Sequence, residues 1–535
     1  YKDDRHFVTI AGARSGKGRS AIVPNLCIYP GSVVVVDPKG ENASLTARRR
    51  GAGVGSGPGL HQDVMVLDPF GIADVPDELR GSFDPLALLD LRSATVADDA
   101  ALLAEALVVP SGNEAVHWDE SAKNLLKGLM LYPVAADPAP TLFLVRRLLT
   151  QGDRPGWEAA CAADPAHKEK CPTAFFHLLD QMRSVSTGVE ELDAVIAGTA
   201  DTIEQCGEAE RGSILSTARR NTAFLDSLGD QFHRTLAGRG RAFDPLSLKT
   251  SAKGVSLYLC LPAARMTTHN RWLRIVINMT LERLQRDLTP GASGAPVLFV
   301  LDEFFTLGPM PTIENAAGFA AGYGVKLWLI LQDLQQLKSM YSKSWQTFLA
   351  NAGAIQVFGA SDAETCEYIS KMMGEVATRQ TVSSTNRSSQ SGYGRRSELD
   401  RASPTLSALS SKNMLAATLH AASAATMSDR SESGNASTQT SAGEHINIAP
   451  LLRPDEVAQQ FSRETGACLL LLKGRRPIWC MRVDYDASPW FTGLFAPLPS
   501  RPLNGPARPR LPFGARDTGA FDRVVKAFNH TVSKT

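Results

Sequence analysis

The chain has 535 residues, 43% hydrophobic and 21% charged, a length beyond one ordinary domain and a composition suited to packed cores in water. With 56 Lys and Arg against 55 Asp and Glu, the net charge of +1 excludes capture of nucleic acid by bulk electrostatics, so any DNA contact has to be local, such as a ring of side chains around a pore. No run of 18 apolar residues marks a transmembrane helix, and the eight cysteines, scattered without a C-x-x-C pair, read as reduced, mostly core thiols rather than a disulfide framework or a zinc site.

The chain opens at Tyr1 without an initiator Met, and further residues are expected upstream. A short β-prone run, Phe7 to Ile10, enters the glycine-rich turn Ala11-Gly12-Ala13-Arg14-Ser15-Gly16-Lys17-Gly18-Arg19, after which Ser20 to Tyr29 resumes as a helix despite Pro24. Strand, turn and helix in that order are the context of a phosphate-binding loop. Gly12 and Gly16 let successive backbone N–H groups converge on one anion, the next helix presents its positive end, and Lys17 adds a mobile charge. Ala11 stands where the usual pattern has its first Gly. Gly18 stands where a Mg²⁺-binding hydroxyl belongs, and Ser15, Ser20 or a water has to fill that place.

Ser32 to Asp37 is a β-branched run ending in an acid, as befits a strand buried on both faces of a parallel sheet, and Asp63 to Leu67 ends similarly in Asp68-Pro69. These acids either face a ligand at the carboxyl edge of the sheet or serve turn and cap chemistry. Residues 86–241 change texture to Ala/Leu-rich helical periodicity, with helices expected over Ala97–Leu107, Trp118–Leu131, Thr141–Leu149, Thr173–Arg183, Val189–Thr202 and Ile214–Leu228. This reads as an inserted all-α domain. Its acids Asp119 and Glu120 are expected to begin a helix, where negative charge favours the N-terminus.

Strands return at Gly254–Leu261, Ala295–Leu301, Val325–Leu331 and Ala354–Gly359, alternating with helices at Trp272–Leu284, Ile313–Ala321 and Leu334–Tyr341. The fold class is therefore α/β with a mostly parallel sheet. Val297 to Leu301 delivers Asp302 and Glu303 to the edge expected to hold the phosphate loop. Phosphoryl transfer needs a held Mg²⁺ and an oriented water, so Asp302 is the candidate metal ligand and Glu303 the candidate base. Gln332 ends the next strand, where it either polarises the γ-phosphate or caps the following helix. Residues 378–445, rich in Ser and Thr, read as a flexible insertion with one short helix at 406–419. Ala467–Leu472 and Ile478–Val483 read as a closing hairpin, and 501–535 as a basic, proline-containing tail.

The blocks Ala13-Arg14-Ser15-Gly16-Lys17-Gly18, Val23-Pro24-Asn25-Leu26, Asp37-Pro38-Lys39-Gly40-Glu41-Asn42, Leu301-Asp302-Glu303-Phe304, Gly322-Tyr323-Gly324 and Gln332-Asp333-Leu334 together resemble the TraG family, the coupling proteins of type IV secretion and conjugation systems. The likeness spans about residues 5–375 and returns at Leu451-Leu452-Arg453-Pro454-Asp455-Glu456. Gly18 in place of the hydroxyl is itself usual there.

The resemblance implies a RecA-like P-loop NTPase domain, 1–85 with 242–500, interrupted by the all-α domain. ATP and Mg²⁺ are the implied cofactors. Gly12, Ala13, Arg14, Ser15, Gly16, Lys17, Gly18 and Arg19 would bind nucleotide, Lys17, Glu303 and Gln332 would act in hydrolysis, and Asp302 would hold the metal. It further implies a homo-hexamer at the cytoplasmic face of the bacterial inner membrane, anchored by segments preceding this chain. Its partners would be single- or double-stranded DNA, relaxase or effector proteins, and components of the secretion channel. The arginine some relatives direct at a neighbouring subunit has no counterpart in Ala320-Ala321-Gly322-Tyr323, which leaves Arg219, Arg220 and Arg265 as candidates. A nucleotide-binding recruitment platform with little turnover and an FtsK-type DNA translocase are the alternatives, and the Asp37–Asn42 block with the large helical insertion favours the coupling proteins over the latter.

Overall fold

The computed structural model describes residues 5–110, 116–238, 240–387 and 438–497. Its strands in chain order are β1 (His6–Ala11), β2 (Val33–Asp37), β3 (Asp63–Leu67), β4 (Gly81–Ser82), β5 (Arg241–Ala242), β6 (Val255–Cys260), β7 (Val297–Leu301), β8 (Val325–Leu331), β9 (Ala352–Phe358), β10 (Glu375–Arg387), β11 (Thr438–Pro450), β12 (Ala467–Leu472) and β13 (Ile478–Met481). Nine of them make one sheet in the order β13-β12-β9-β1-β8-β7-β2-β6-β3. From β9 to β3 every pairing is parallel, and the β12–β13 hairpin closes the far side antiparallel.

The strands carry apolar residues on both sides because both faces are covered. Val34, Val36, Leu257, Leu259, Phe299 and Leu301 point into one apolar cluster, and their neighbours Val33, Val35, Tyr258, Cys260, Leu298 and Val300 into the other. The first face lies under the helix Met266–Arg286, which buries Leu273, Val276, Ile277, Leu281 and Leu284 and packs in turn on the helix Val96–Leu107. The second face is covered by the turn after the phosphate loop, through Ala21, Ile22 and Leu26, and by the helix Glu41–Arg50, through Ala43 and Ala47.

The expected helix after the loop takes a different form. Residues Gly18–Ile22 make a π-turn before the α-helix Val23–Ile28, and Val23 N–H reaches back to Gly18 O. Pro24 has no N–H to give the carbonyl one α-turn behind it, and placing it in the first α-turn after a wider π-turn avoids that missing bond.

The helical stretch leaves and rejoins the sheet at a neck where β4 pairs with β5, Gly81 opposite Arg241 and Ser82 opposite Ala242. The six expected helices are present, at Val96–Leu107, Val116–Ala136, Leu142–Gln151, Ala174–Ser184, Glu190–Gln205 and Glu208–Thr222. Helices at Arg154–Ala163, His167–Lys170 and Asp230–Leu236 were not expected. The first two bury no residue, so they offer no apolar stripe for periodicity to find.

Residues Gly374–Leu451 form a separate compact unit. Where a flexible stretch was expected from 378, β10 and β11 pair antiparallel along their whole length, from Glu375 opposite Pro450 to Arg387 opposite Thr438. Thr and Val supply β-propensity that a Ser/Thr-rich composition masks, and the pairing partner lies too far along the chain for any local pattern to reveal. The short helix expected at 406–419 and the tail 501–535 lie outside the described residues.

Candidate functional site

Because β1, β8 and β7 are adjacent and parallel, the segments leaving their carboxyl ends emerge at one edge of the sheet. Lys17 follows β1, Gln332 follows β8, and Asp302 and Glu303 follow β7. The Lys17 ammonium lies 2.9 Å from Asp302 Oδ1 and 2.6 Å from Glu303 Oε1. Gln332 Nε2 donates to the other Glu303 oxygen at 3.1 Å. The helix after β8 is capped by Asp333, which accepts from Gln336 N–H, so Gln332 keeps its side chain for Glu303. The side-chain cap of that helix is thus Asp333, and the Gln332 amide lies against Glu303.

Glu303 sits at φ 52°, the left-handed region that non-glycine residues adopt at a cost of about 1–3 kcal/mol. This turn aims the carboxylate across the end of β8 at Lys17. Burial opposes the charge of Lys17, but Asp302 and Glu303 outweigh it and hold the ammonium above its usual range. Burial also raises Asp302, with Lys17 opposing the shift. Asp37, at the end of neighbouring β2, is pushed by burial up to about 7, against backbone donors at Ala43 and Asn42, with Asp302 adding to the rise. Asp37 Oδ2 accepts from Ala43 N–H at the start of the helix Glu41–Arg50, and Asp68 accepts from Ile72 N–H, Ala73 N–H and Arg80. Both therefore serve turn and cap chemistry, the second of the two roles their positions allowed.

In the loop itself, Ser15 N–H bonds Gly12 O and Ser20 N–H bonds Gly16 O, while residues 12–14 and 16–19 keep part of their surface open. Arg14 at φ 57° and Gly16 at φ 93° bend the backbone into the concave form that gathers N–H groups on an anion. Gly12 is required by contact rather than by φ, since a Cβ there would lie 2.1 Å from Gly359 O at the end of β9. At Gly18 a Cβ would meet nothing within 4 Å. Gly12→Ala is accordingly expected to lower stability by about 1–3 kcal/mol through overpacking, and Gly18→Ser to leave the thermal melt unchanged; thermal unfolding of the two variants checks the contrast.

The hydroxyls that could replace the missing one at 18 are placed elsewhere. Ser20 Oγ donates to Gly16 O, and Ser15 packs against Gly359 beside β9, on the side of β1 away from Asp302.

The Arg19 guanidinium is engaged within the chain: it pairs with Asp484 at 3.1 Å and Asp486 at 2.5 Å. These acids belong to a strap, residues 482–496, that sequence reasoning missed. Arg482 donates to Ser15 O at 2.5 Å and stacks its guanidinium over Phe358. Tyr485 N–H bonds Arg19 O, and Tyr485 and Phe491 bury against Val23, Cys27 and Leu45. The expected second strand of the hairpin ends at Met481 rather than Val483 because Arg482 turns to the loop. The acids interleaved in Arg482-Val483-Asp484-Tyr485-Asp486 were the one sequence signal of a basic partner.

The three arginine candidates are all engaged within the chain. Arg219 Nε donates to Leu149 O, Arg220 lies 4.0 Å from buried Asp119, and the Arg265 guanidinium stacks over Phe70. Asp119 is in the first turn of Val116–Ala136, as a helix-initiating acid should be.

The family model for type IV secretory system conjugative DNA transfer matches residues 1–406. The chain belongs to this family. Among the family's curated proteins, VirD4 of Agrobacterium fabrum is 27% identical over 373 residues, covering 69% of this chain and 49% of that protein. A conjugal transfer protein TraG of Escherichia coli is 27% identical over 396 residues, covering 70% and 56%. The chain thus spans about half the length of the curated relatives it matches. Solved structures of the plasmid coupling protein TrwB, one in complex with ADP and Mg²⁺ and one with the GTP analogue GDPNP, each superpose with a TM-score of 0.56. They are 13% and 14% identical, respectively, and each match covers 90% of this chain and 86% of that one. The likeness shows that the chain shares the fold of those structures, a mostly parallel sheet with a helical layer.

Proposed function

We propose that this chain is the ATP-hydrolysing part of a coupling protein that recruits DNA, with its relaxase, or protein substrates to a type IV secretion channel and drives their transfer. The observation that carries the reading is the convergence of Lys17, Asp302, Glu303 and Gln332 at the end of three adjacent parallel strands. A cation between two carboxylates, beside a loop whose backbone gathers N–H groups, matches the demands of a triphosphate with its Mg²⁺. Residues 12–18 cradle the phosphates, and Lys17 exchanges its carboxylate partners for the β/γ-phosphates. Asp302 would hold Mg²⁺ directly or through water, and the ion, when bound, would neutralise charge developing on the phosphate oxygens. Glu303 takes the proton of the attacking water, and Gln332, already bonded to Glu303, orients that group toward the γ-phosphate.

An acidic pair built this closely around the lysine favours hydrolysis over a recruitment platform that only binds nucleotide. The reading extends to a homo-hexamer at the inner membrane. Measuring ATP turnover of the parent with and without single-stranded DNA, beside Lys17→Ala, tests the reading. Turnover that rises with DNA and falls to background in the variant is expected. Turnover indifferent both to DNA and to Lys17→Ala would overturn it.

A further inference from the structure

Far along the chain from the nucleotide site, the helical layer gathers three metal-binding side chains that no part of the ATPase chemistry uses. His167, Cys171 and His177 each offer one ligand atom, and these atoms all lie within 4.8 Å of one another. His167 Nε2 and His177 Nδ1 are 3.0 Å apart. Cys171 and His177 are buried, and His167 is half-exposed. From this convergence we infer that His167, Cys171 and His177 form a Zn²⁺ site, with a water as fourth ligand on the open side of His167.

The donor set is the first argument. One thiolate and two imidazoles suit Zn²⁺, whose bonds of about 2.0–2.1 Å to nitrogen and about 2.3 Å to sulfur put tetrahedral ligands about 3.3–3.6 Å apart. Small side-chain rotations bring the three atoms to that spacing. The surroundings of His177 are the second. Its Nε2 lies 2.9 Å from the Gln181 amide and 3.8 Å from Asp153 Oδ2. The Gln181 NH₂ donates to Nε2 while its oxygen accepts from Tyr132 O–H; with an ion on Nδ1 the amide turns over and accepts from Nε2–H, the kind of partner that fixes the tautomer of a metal-bound histidine.

The third argument is what the segment lacks. The helices Arg154–Ala163 and His167–Lys170 bury no residue, yet the first packs on the helix Ala174–Ser184 and the second reaches it through His167 and His177. Hydrogen bonds set the cysteine in place: Asp153 N–H donates to Ala174 O, and Trp157 Nε1 donates to Cys171 O. Segments without a hydrophobic core of their own commonly take the missing stability from a metal. Here the ion would tie the short helix, the turn at Cys171 and the helix Ala174–Ser184 into one corner.

The full chain, purified and loaded with Co²⁺ in place of Zn²⁺, tests the site. We expect about one ion per chain, the thiolate-to-cobalt charge-transfer band of tetrahedral ligation, and loss of both in Cys171→Ser. Removing zinc from the parent with a chelator provides a measurement that needs no substitution: faster amide exchange confined to residues 153–184 is expected. Absence of the band in the parent, the same band in Cys171→Ser, or exchange at 153–184 unchanged by chelation would overturn the inference. An ion held instead by Cys468 and Cys480, whose sulfurs approach to 3.3 Å on the closing hairpin, would appear as the second of these outcomes.

Discussion

Glu303→Gln is expected to lower ATP turnover by about 10²–10⁴-fold, the range a positioned general base contributes, while nucleotide affinity is retained. The substitution keeps the size of the side chain and one oxygen for Lys17, which lies 2.6 Å from Glu303 Oε1. It removes the negative charge and the ability to accept a proton, the two properties the attacking water requires. It also replaces one carboxylate oxygen with an NH₂ group that cannot accept the hydrogen bond Gln332 gives. Asp302→Asn makes the companion variant. Asp302 stands at the end of β7, 2.9 Å from the Lys17 ammonium that opposes the upward pull of burial on its carboxyl, so its loss is expected to weaken Mg²⁺-nucleotide binding as well as turnover. Single-turnover hydrolysis compared with the affinity of a fluorescent nucleotide separates these effects. Full turnover in Glu303→Gln would place the base elsewhere.

Arg50→Met is expected to reduce unfolding free energy by about 3–5 kcal/mol, among the largest costs of a single substitution. Arg50 ends the helix Glu41–Arg50 and is fully buried beneath it. All five of its N–H donors are used: Nε to Ser256 Oγ, Nη1 to Leu26 O and Tyr29 O, and Nη2 to Gly31 O and Gln62 Oε1. No carboxylate is among these partners, and burial pulls the guanidinium down to about 10, so it remains charged at neutral pH. Its role is to satisfy carbonyls at the end of the helix Val23–Ile28, which carries the phosphate loop, and to tie them to β6. A methionine fills similar space and leaves those carbonyls buried without donors. Arg50→Lys restores charge but presents three donors in place of five, so partial recovery is expected. Urea unfolding followed by fluorescence measures the series, and a loss under about 1 kcal/mol in Arg50→Met would show the carbonyls finding other donors.

Much of the candidate site was legible because its signals are local. A β-prone run turning through glycines into Lys17, and an apolar strand ending in Asp302-Glu303, each announce themselves within a dozen residues. Buried parallel strands leave continuous apolar runs, which is why β2, β6, β7 and β8 were found close to their observed bounds. Signals that depend on a distant partner were lost. Gln332 could not be told from a helix cap until Asp333 was seen to be that cap, and the strap from Arg482 to Ala496 grips the loop through hydrogen bonds that no periodicity encodes. The cysteine at 171 read as a core thiol because its two histidine neighbours are brought in by helix packing rather than by a familiar spacing.

By itself, then, the order of amino acids determined the element types, the candidate phosphate ligand and the candidate acids, since backbone propensity, side-chain period and turn chemistry act over a few residues. Tertiary structure alone decided that β8 lies between β1 and β7, so that Lys17 and Glu303, 286 positions apart, meet over the end of one strand with Asp302 beside them. Strand order is settled by the burial of both sheet faces at once, a condition summed over the whole chain and written in no single segment of it.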